Sequence, residues 1–332
     1  MRLGLGKLPS ALVVFIHFEI LFWLNAVTIS TVNADQCHLV AHGGSDGMLN
    51  PPTNGGHKPG DSEATSTTSQ NGEGSSTTAS PTPSPTIQPF DYSNDKIRGV
   101  NLGGWLVLEP WITPSVFERT GNTDIVDEYT LGELMDRADA ERLLLDHWES
   151  WITEDDFIAI REAGLNHVRI PLGYWSVPLT SDDTSESTSP DPYIPGAWTY
   201  LLRGLTWARK HGIHTIVDIH GAPLSQNGYD NSGQRTGSPR WALDSAAIAR
   251  TVDTVRYIAE NLGGMIDVLE LLNEPAGFRG DDWASAIRQY WLDGYDAVRD
   301  AAGSEIKIMI GDAFLGVNVS ALNHFRIAND LG

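Results

Sequence analysis

The tripeptide Asn273-Glu274-Pro275 carries the most chemical content in this sequence. It follows Val268-Leu269-Glu270-Leu271-Leu272, a mostly apolar run of strand length, which puts Glu274 at a strand end. A carboxyl so placed can protonate the leaving oxygen of a glycosidic bond, provided a second carboxylate attacks the sugar or activates water. The Asn273 amide is suited to bind a sugar hydroxyl while holding that carboxyl in place. The same three residues also describe an ordinary helix start, with Pro at its first position. Further polar residues stand where other candidate strands end, namely Asn101, Arg169, His220 and Asp312. Together with Asn273 and Glu274 they converge on one face if the strands run parallel around a barrel.

The elements that would position them alternate along the chain. Strand patterns cover residues 96–101, 166–170 (ending at Pro171), 215–219, 268–272 and 307–310. Helical patterns lie between them. One opens on a capping box, Thr153 with Asp156, and is stopped by Gly164. A second runs over about 197–211, with Leu201, Leu205 and Ala208 on one face and Gly212 as its stop. A third covers about 245–261 before Gly263-Gly264, and a fourth, capped by Asp282, reaches about Ala301. Such alternation implies a parallel sheet with right-handed crossovers. A doubly wound sheet would carry a Gly-rich phosphate turn after its first strand. Gly99 and Gly103-Gly104 do not form that turn, and Trp105 follows where a helix should open. The expected fold is therefore α/β, a (β/α)8 TIM barrel with about five of its eight strands in this sequence.

The chain has 332 residues and a net charge of −21, with no basic face of the kind a polyphosphate needs, so nucleic acid is not an expected partner. Its 11 Trp serve either a core or sugar stacking. Cys37 is the only cysteine, which excludes a disulfide within the chain. His211, His214 and His220 lack the spacing of a metal cluster, and no cofactor motif appears, so neither metal nor cofactor is expected. Residues 1–34 read as a cleaved signal peptide or a signal anchor. Arg2 and Lys7 flank an apolar run over 11–29, and Val32-Asn33-Ala34 offers small residues for cleavage, although the run contains His17, Glu19 and Asn25. Residues 35–89 read as a disordered linker rich in Ser, Thr, Pro and Gly. Residues 90–332 form the N-terminal part of the barrel. A secreted, wall-associated protein follows from the cleaved leader, and a single-pass plasma-membrane protein from the retained one; a monomer is expected. Asn318-Val319-Ser320 is an N-glycan acceptor tripeptide.

The segments 97–110, 168–175, 218–223, 225–233 and 271–275 together resemble, in order, the fungal exo-1,3-β-glucanases of glycoside hydrolase family 5, over about residues 97–312. The resemblance implies retaining hydrolysis of β-1,3-glucan from the non-reducing end, with release of glucose. It gives Glu274 the acid/base role and Asn273 the sugar 2-OH. Arg169 would hold a nucleophile carboxylate ionised, with a structural ion pair inside the barrel as its other reading. His220 would be the strand-three histidine of the site or else a histidine of the core. Glu109 and Asn231 would grip the terminal glucose, with Tyr229 as the aromatic at the pocket mouth. Leu224 departs from the family, which commonly has Gly there. The nucleophile Glu is expected after a seventh strand, yet the last Glu in this sequence is Glu305, ahead of the fifth. The nucleophile is therefore expected to be absent from this sequence, as from a C-terminally truncated member. The alternatives are a non-catalytic glucan-binding or wall protein, and a related β-glucanase of other linkage preference.

Overall fold

The computed structural model describes residues 87–179 and 191–316. The apolar N-terminal run, Cys37, nearly all of the Ser/Thr/Pro/Gly-rich segment and Asn318-Val319-Ser320 lie outside the described residues. Among those residues no helix is long and apolar enough to cross a membrane.

The elements follow one another as β1 (Gly99–Asn101), α1 (Pro114–Thr120), α2 (Glu128–Leu134), α3 (Arg137–Ser150), α4 (Glu154–Glu162), β2 (His167–Gly173), α5 (Ala197–Lys210), β3 (His214–Gly221), α6 (Ser245–Leu262), β4 (Val268–Glu270), α7 (Asp281–Ala302) and β5 (Lys307–Met309). The strands make one sheet in the order β1-β2-β3-β4-β5, and every neighbouring pair is parallel. Strict sequential order is that of a barrel laid down strand by strand, whereas a doubly wound sheet reverses direction at a switch point. Among the described residues β1 and β5 do not meet, so these five strands form an arc and not a closed barrel.

Local chemistry sets the element ends. Thr153 and Asp156 form the expected capping box of α4, and Asp244 caps α6 by accepting from the amides of Ala246 and Ala247. At α7 the cap is Gly280, not Asp282. Asp281 and Asp282 lie in the first turn, where their charge complements the helix dipole. β2 continues through Pro171 to Gly173 instead of ending there. His167 N donates to Arg98 O and Leu102 N to Arg169 O, so the odd-numbered residues of β2 face β1. Because β1 ends at Asn101, the N–H that Pro171 lacks falls where there is no strand to receive it.

The core lies between the sheet and its helices. Trp105, Leu106, Leu108, Ile170, Leu172, Ile219 and Leu269 are fully buried in it. Trp105 donates its indole N–H to Trp148 O at 3.0 Å, which ties the segment after β1 to α3. Gly204 on α5 is required by this packing: a Cβ there would stand 2.9 Å from the Trp105 ring. At the N-terminal ends of the strands, Phe90 and Tyr92 close over His167 and His214, whose rings stack at 5.1 Å.

Candidate active site

Arg169 occupies the centre of the arc, buried on β2. Its Nε donates to Glu270 Oε2 at 2.7 Å and one terminal nitrogen to Asn101 Oδ1 at 3.0 Å. The other meets Asn273 Oδ1 at 2.9 Å and Asp218 Oδ2 at 2.9 Å. One planar guanidinium thus joins β1, β3, β4 and the residue before Glu274, a pattern a lysine cannot make. Burial works against its charge, but Asp218 and Glu270 more than offset this and hold it protonated. In turn, burial pushes the Asp218 carboxyl up to about 7 while Arg169 pulls it back. Glu270 is raised for the same reason against the same opposing cation. The carboxylates that Arg169 meets here are these two.

His220, at the end of β3, places Nδ1 2.5 Å from Asp218 Oδ2. A carboxylate partner makes Nδ1 the donor, so in the neutral ring Nε2 is the acceptor. Nε2 stands 3.7 Å from Glu109 Oε1 and has no hydrogen-bond partner among the described residues. Burial lowers the imidazole pKa, with Glu109 as the main opposing influence.

Glu109 is 5% exposed and accepts from Trp111 Nε1 at 3.1 Å. Burial raises its pKa, against His220 and the Trp111 bond, and the carboxylate of Glu274 adds to the rise. The two carboxyls therefore lie close enough to sense each other's charge.

Glu274 Oε2 accepts from Asn231 Nδ2 at 2.8 Å, and Asn231 Oδ1 accepts from Asn227 Nδ2 at 3.2 Å. Glu274 has φ of +46°, a left-handed conformation uncommon for a residue with a Cβ. Gln226 fixes the chain on both sides of it. Its Nε2 donates to Asn273 O at 3.0 Å and to His220 O at 2.8 Å, and its own carbonyl accepts from Ala276 N at 3.0 Å. The Nδ2 of Asn273 is buried with no hydrogen-bond partner among the described residues.

The structure thus gathers Arg169, His220, Glu109 and Asn273 into one network, with Asn231 and Glu274 as a bonded pair beside it. Tyr229 lies 48% exposed on the Asn231 loop, its hydroxyl in none of these contacts. Of the other strand-end residues, Asn101 joins Arg169, while Asp312 binds the amide of Phe314 in a turn. Leu224, where the resemblance expects Gly, has φ of +62°, and Ser225 has φ of +61°. Asp218, Glu270, Gln226 and Trp111 were not among the residues singled out from sequence. The first two hide inside apolar strand patterns, and a lone Gln or Trp in a loop has no spacing signature. No three His, Cys, Asp or Glu among the described residues are grouped to hold a metal ion.

Residues 140–324 match the family described as cellulase (glycosyl hydrolase family 5). The chain belongs to glycosyl hydrolase family 5. Within it, the chain is similar to the glucan 1,3-beta-glucosidase of Blumeria graminis, 44% identical over 230 residues, which cover 68% of this chain and 51% of that protein. It is also 43% identical over 231 residues to the glucan 1,3-beta-glucosidase of Pichia angusta, covering 68% and 50% of the two. The chain spans about half the length of the curated relatives it matches. Among solved structures it is similar to rutinosidase from Aspergillus niger, with a TM-score of 0.58 and 22% identity over 67% of this chain and 64% of that one. That likeness shows the fold, and with it the family's barrel architecture.

Proposed function

We infer that this chain supplies the acid-bearing part of a retaining β-1,3-glucan hydrolase that removes glucose from non-reducing ends. One observation carries this. Two carboxyls, Glu274 on Asn231 and Glu109 on Trp111, flank buried polar atoms, Asn273 Nδ2 and His220 Nε2, that have no protein partner among the described residues. The hydroxyls of a terminal glucose can satisfy such atoms, since an unmet buried donor or acceptor costs about 1–3 kcal/mol. The relatives' name, glucan 1,3-beta-glucosidase, supports the linkage.

In this mechanism Glu274 gives its proton to the glycosidic oxygen as the C1–O bond breaks. A second carboxylate bonds to C1, and water then releases glucose with Glu274 acting as base. Glu109, Asp218 and Glu270 are each engaged by protein groups, and Glu305 is the last Glu of the sequence. The test is to mix the 332-residue chain with the C-terminal half of the Blumeria graminis relative and measure glucose released from laminarin. Release by the mixture, lost with Glu274→Gln, is expected. A stable complex that releases no glucose would overturn the proposal.

The engagement of those three carboxylates favours a second reading for the chain by itself, sugar binding without cleavage. Glucose binding by the unmixed chain, with none released from laminarin, distinguishes the two. We further propose secretion through cleavage after residue 34, supported by Arg2, Lys7 and the apolar run that follows. N-terminal sequencing of protein from the culture medium checks this, and an intact residue 1 on membrane-bound protein would contradict it.

A further inference from the structure

Three consecutive residues at the start of α2 tie together the loops that follow β1, β2 and β3. Asp127 accepts from Thr130 N at 2.7 Å as a helix cap, and its other oxygen accepts from Arg235 N at 2.6 Å. Tyr129 N donates to Gly233 O at 2.9 Å. Between them Glu128, only 2% exposed, accepts from Leu108 N at 2.6 Å and from Trp175 Nε1 at 2.9 Å. Leu108 immediately precedes Glu109. Gly233 and Arg235 close the turn that presents Asn231 to Glu274.

Trp175 explains why the second of those bonds matters. Its ring is wedged against glycines from three places: the end of β2, the end of β3 and the Asn231 loop. A Cβ added at Gly173, Gly221 or Gly233 would come within 2.3, 2.6 or 2.2 Å of the indole. The indole also stacks on the Tyr193 ring, with centroids 4.0 Å apart. The only polar atom of the indole is bound by Glu128, so this carboxyl fixes how far the wedge enters. Its other oxygen fixes the backbone that carries Glu109. Burial pushes the Glu128 carboxyl up to about 8, against the bonds from Leu108 N and Trp175 Nε1. Both of those contacts donate to it, so its two oxygens are matched as acceptors, whereas the amide of a glutamine would turn a donor toward one of them.

We propose that Glu128 is a positioning residue that sets the spacing between Glu109 and the Asn231–Glu274 pair, by holding Leu108 N and Trp175 Nε1 with one buried carboxyl. This rests on the sugar-binding role of Glu109 proposed above. It concerns neither a ligand nor a proton at Glu128 itself.

The test uses the full chain, D-glucose as the probe, and the indole N–H signals in 1H–15N spectra. Glu128→Gln is expected to weaken glucose binding about tenfold, which is about 1.4 kcal/mol. It should also shift the Trp111 Nε1–H signal, which reports on Glu109 and not on Glu128. A purely structural role would lower the melting temperature and leave both readouts in place. Trp175→Phe keeps a ring in the glycine notch but removes the donor. It should act in the same direction with a smaller effect, and it carries the test if Glu128→Gln does not fold. Glu109→Gln separates the two proposals. If it leaves glucose binding unchanged, the functional proposal fails. If it weakens binding while Glu128→Gln and Trp175→Phe keep both the affinity and the Trp111 signal, the positioning role is overturned.

Discussion

Replacing Arg169 with Met tests the centre of the site most severely. The substitution keeps the length and apolar stem of the side chain but removes donors from Glu270, Asp218, Asn273 and Asn101 at 2.7–3.0 Å. Removing one partner of a buried ion pair typically costs about 3–5 kcal/mol. Here the two carboxyls left behind can take up protons, so the cost should depend on pH. With Arg169 present, burial already raises both, Asp218 to about 7. Without it they rise further and stay protonated in the folded state over a wider range, while in the unfolded chain they ionise near pH 4. An acid whose folded pKa is raised binds more protons when folded, so stability falls as pH rises above the unfolded value. Each carboxyl held protonated in the folded variant but ionised in the wild type adds about 1.4 kcal/mol to the deficit for every pH unit. Urea unfolding of Arg169→Met should therefore show a deficit of roughly 3–5 kcal/mol near pH 8 that narrows by roughly 2 kcal/mol at pH 6. A deficit independent of pH, or one that widens on acidification, would refute the assignment of Arg169 as the charge partner of Asp218 and Glu270.

The remaining predictions concern other parts of the fold. Asn231→Ala removes the bond to Glu274 and should weaken glucose binding by about 1.5–3 kcal/mol, read by calorimetric titration, with less than a few degrees' change in melting temperature. An unchanged affinity would place the sugar elsewhere. Leu224→Gly should destabilise the chain by roughly 1 kcal/mol in urea unfolding, because loss of a Leu side chain packed on the core, with the added chain entropy of Gly, exceeds relief of the left-handed Leu. Stabilisation would show that the backbone strain at Leu224 outweighs its packing. His167 is lowered to about 4, first by burial and then by His214, with Asp267 opposing. It stays neutral in the fold where the unfolded chain takes a proton. The wild type should therefore gain stability as pH rises from about 4 to 6.5, by about 3 kcal/mol more than His167→Gln does. Parallel pH profiles would contradict that burial effect.

The barrel order was legible because strand-length segments rich in β-branched and apolar residues recur between helical patterns and are set off by Gly or Pro. His167–Gly173 and His214–Gly221 are buried along their whole length. Pro171 misled only because which side of β2 its missing N–H faces depends on where β1 stops, a relation between distant segments. Helices α1 to α3 were not recognised, although Ala140, Leu143, Leu144 and Trp148 form a helical stripe behind the Asp136 cap. The many Gly, Trp and Asp residues before them break the pattern. In the site, Glu109, His220, Asn231, Asn273 and Glu274 were found as polar residues at strand ends or in motifs of the family. Asp218 and Glu270 were passed over as members of buried strands. Their significance comes from Arg169, and Glu270 lies 101 residues from it in sequence.

The central claim is that Glu274 delivers the proton to the leaving sugar, and leaving-group dependence tests it most directly. The chain mixed with the C-terminal half of the Blumeria graminis relative should be compared with its Glu274→Gln form on laminaribiose and on 2,4-dinitrophenyl β-glucoside. An acid matters only where the leaving oxygen needs a proton, and general acid catalysis contributes about 10²–10⁴-fold. The variant should lose about that factor on laminaribiose and keep a near-normal initial burst of dinitrophenol. Equal losses on both substrates would contradict the acid role of Glu274.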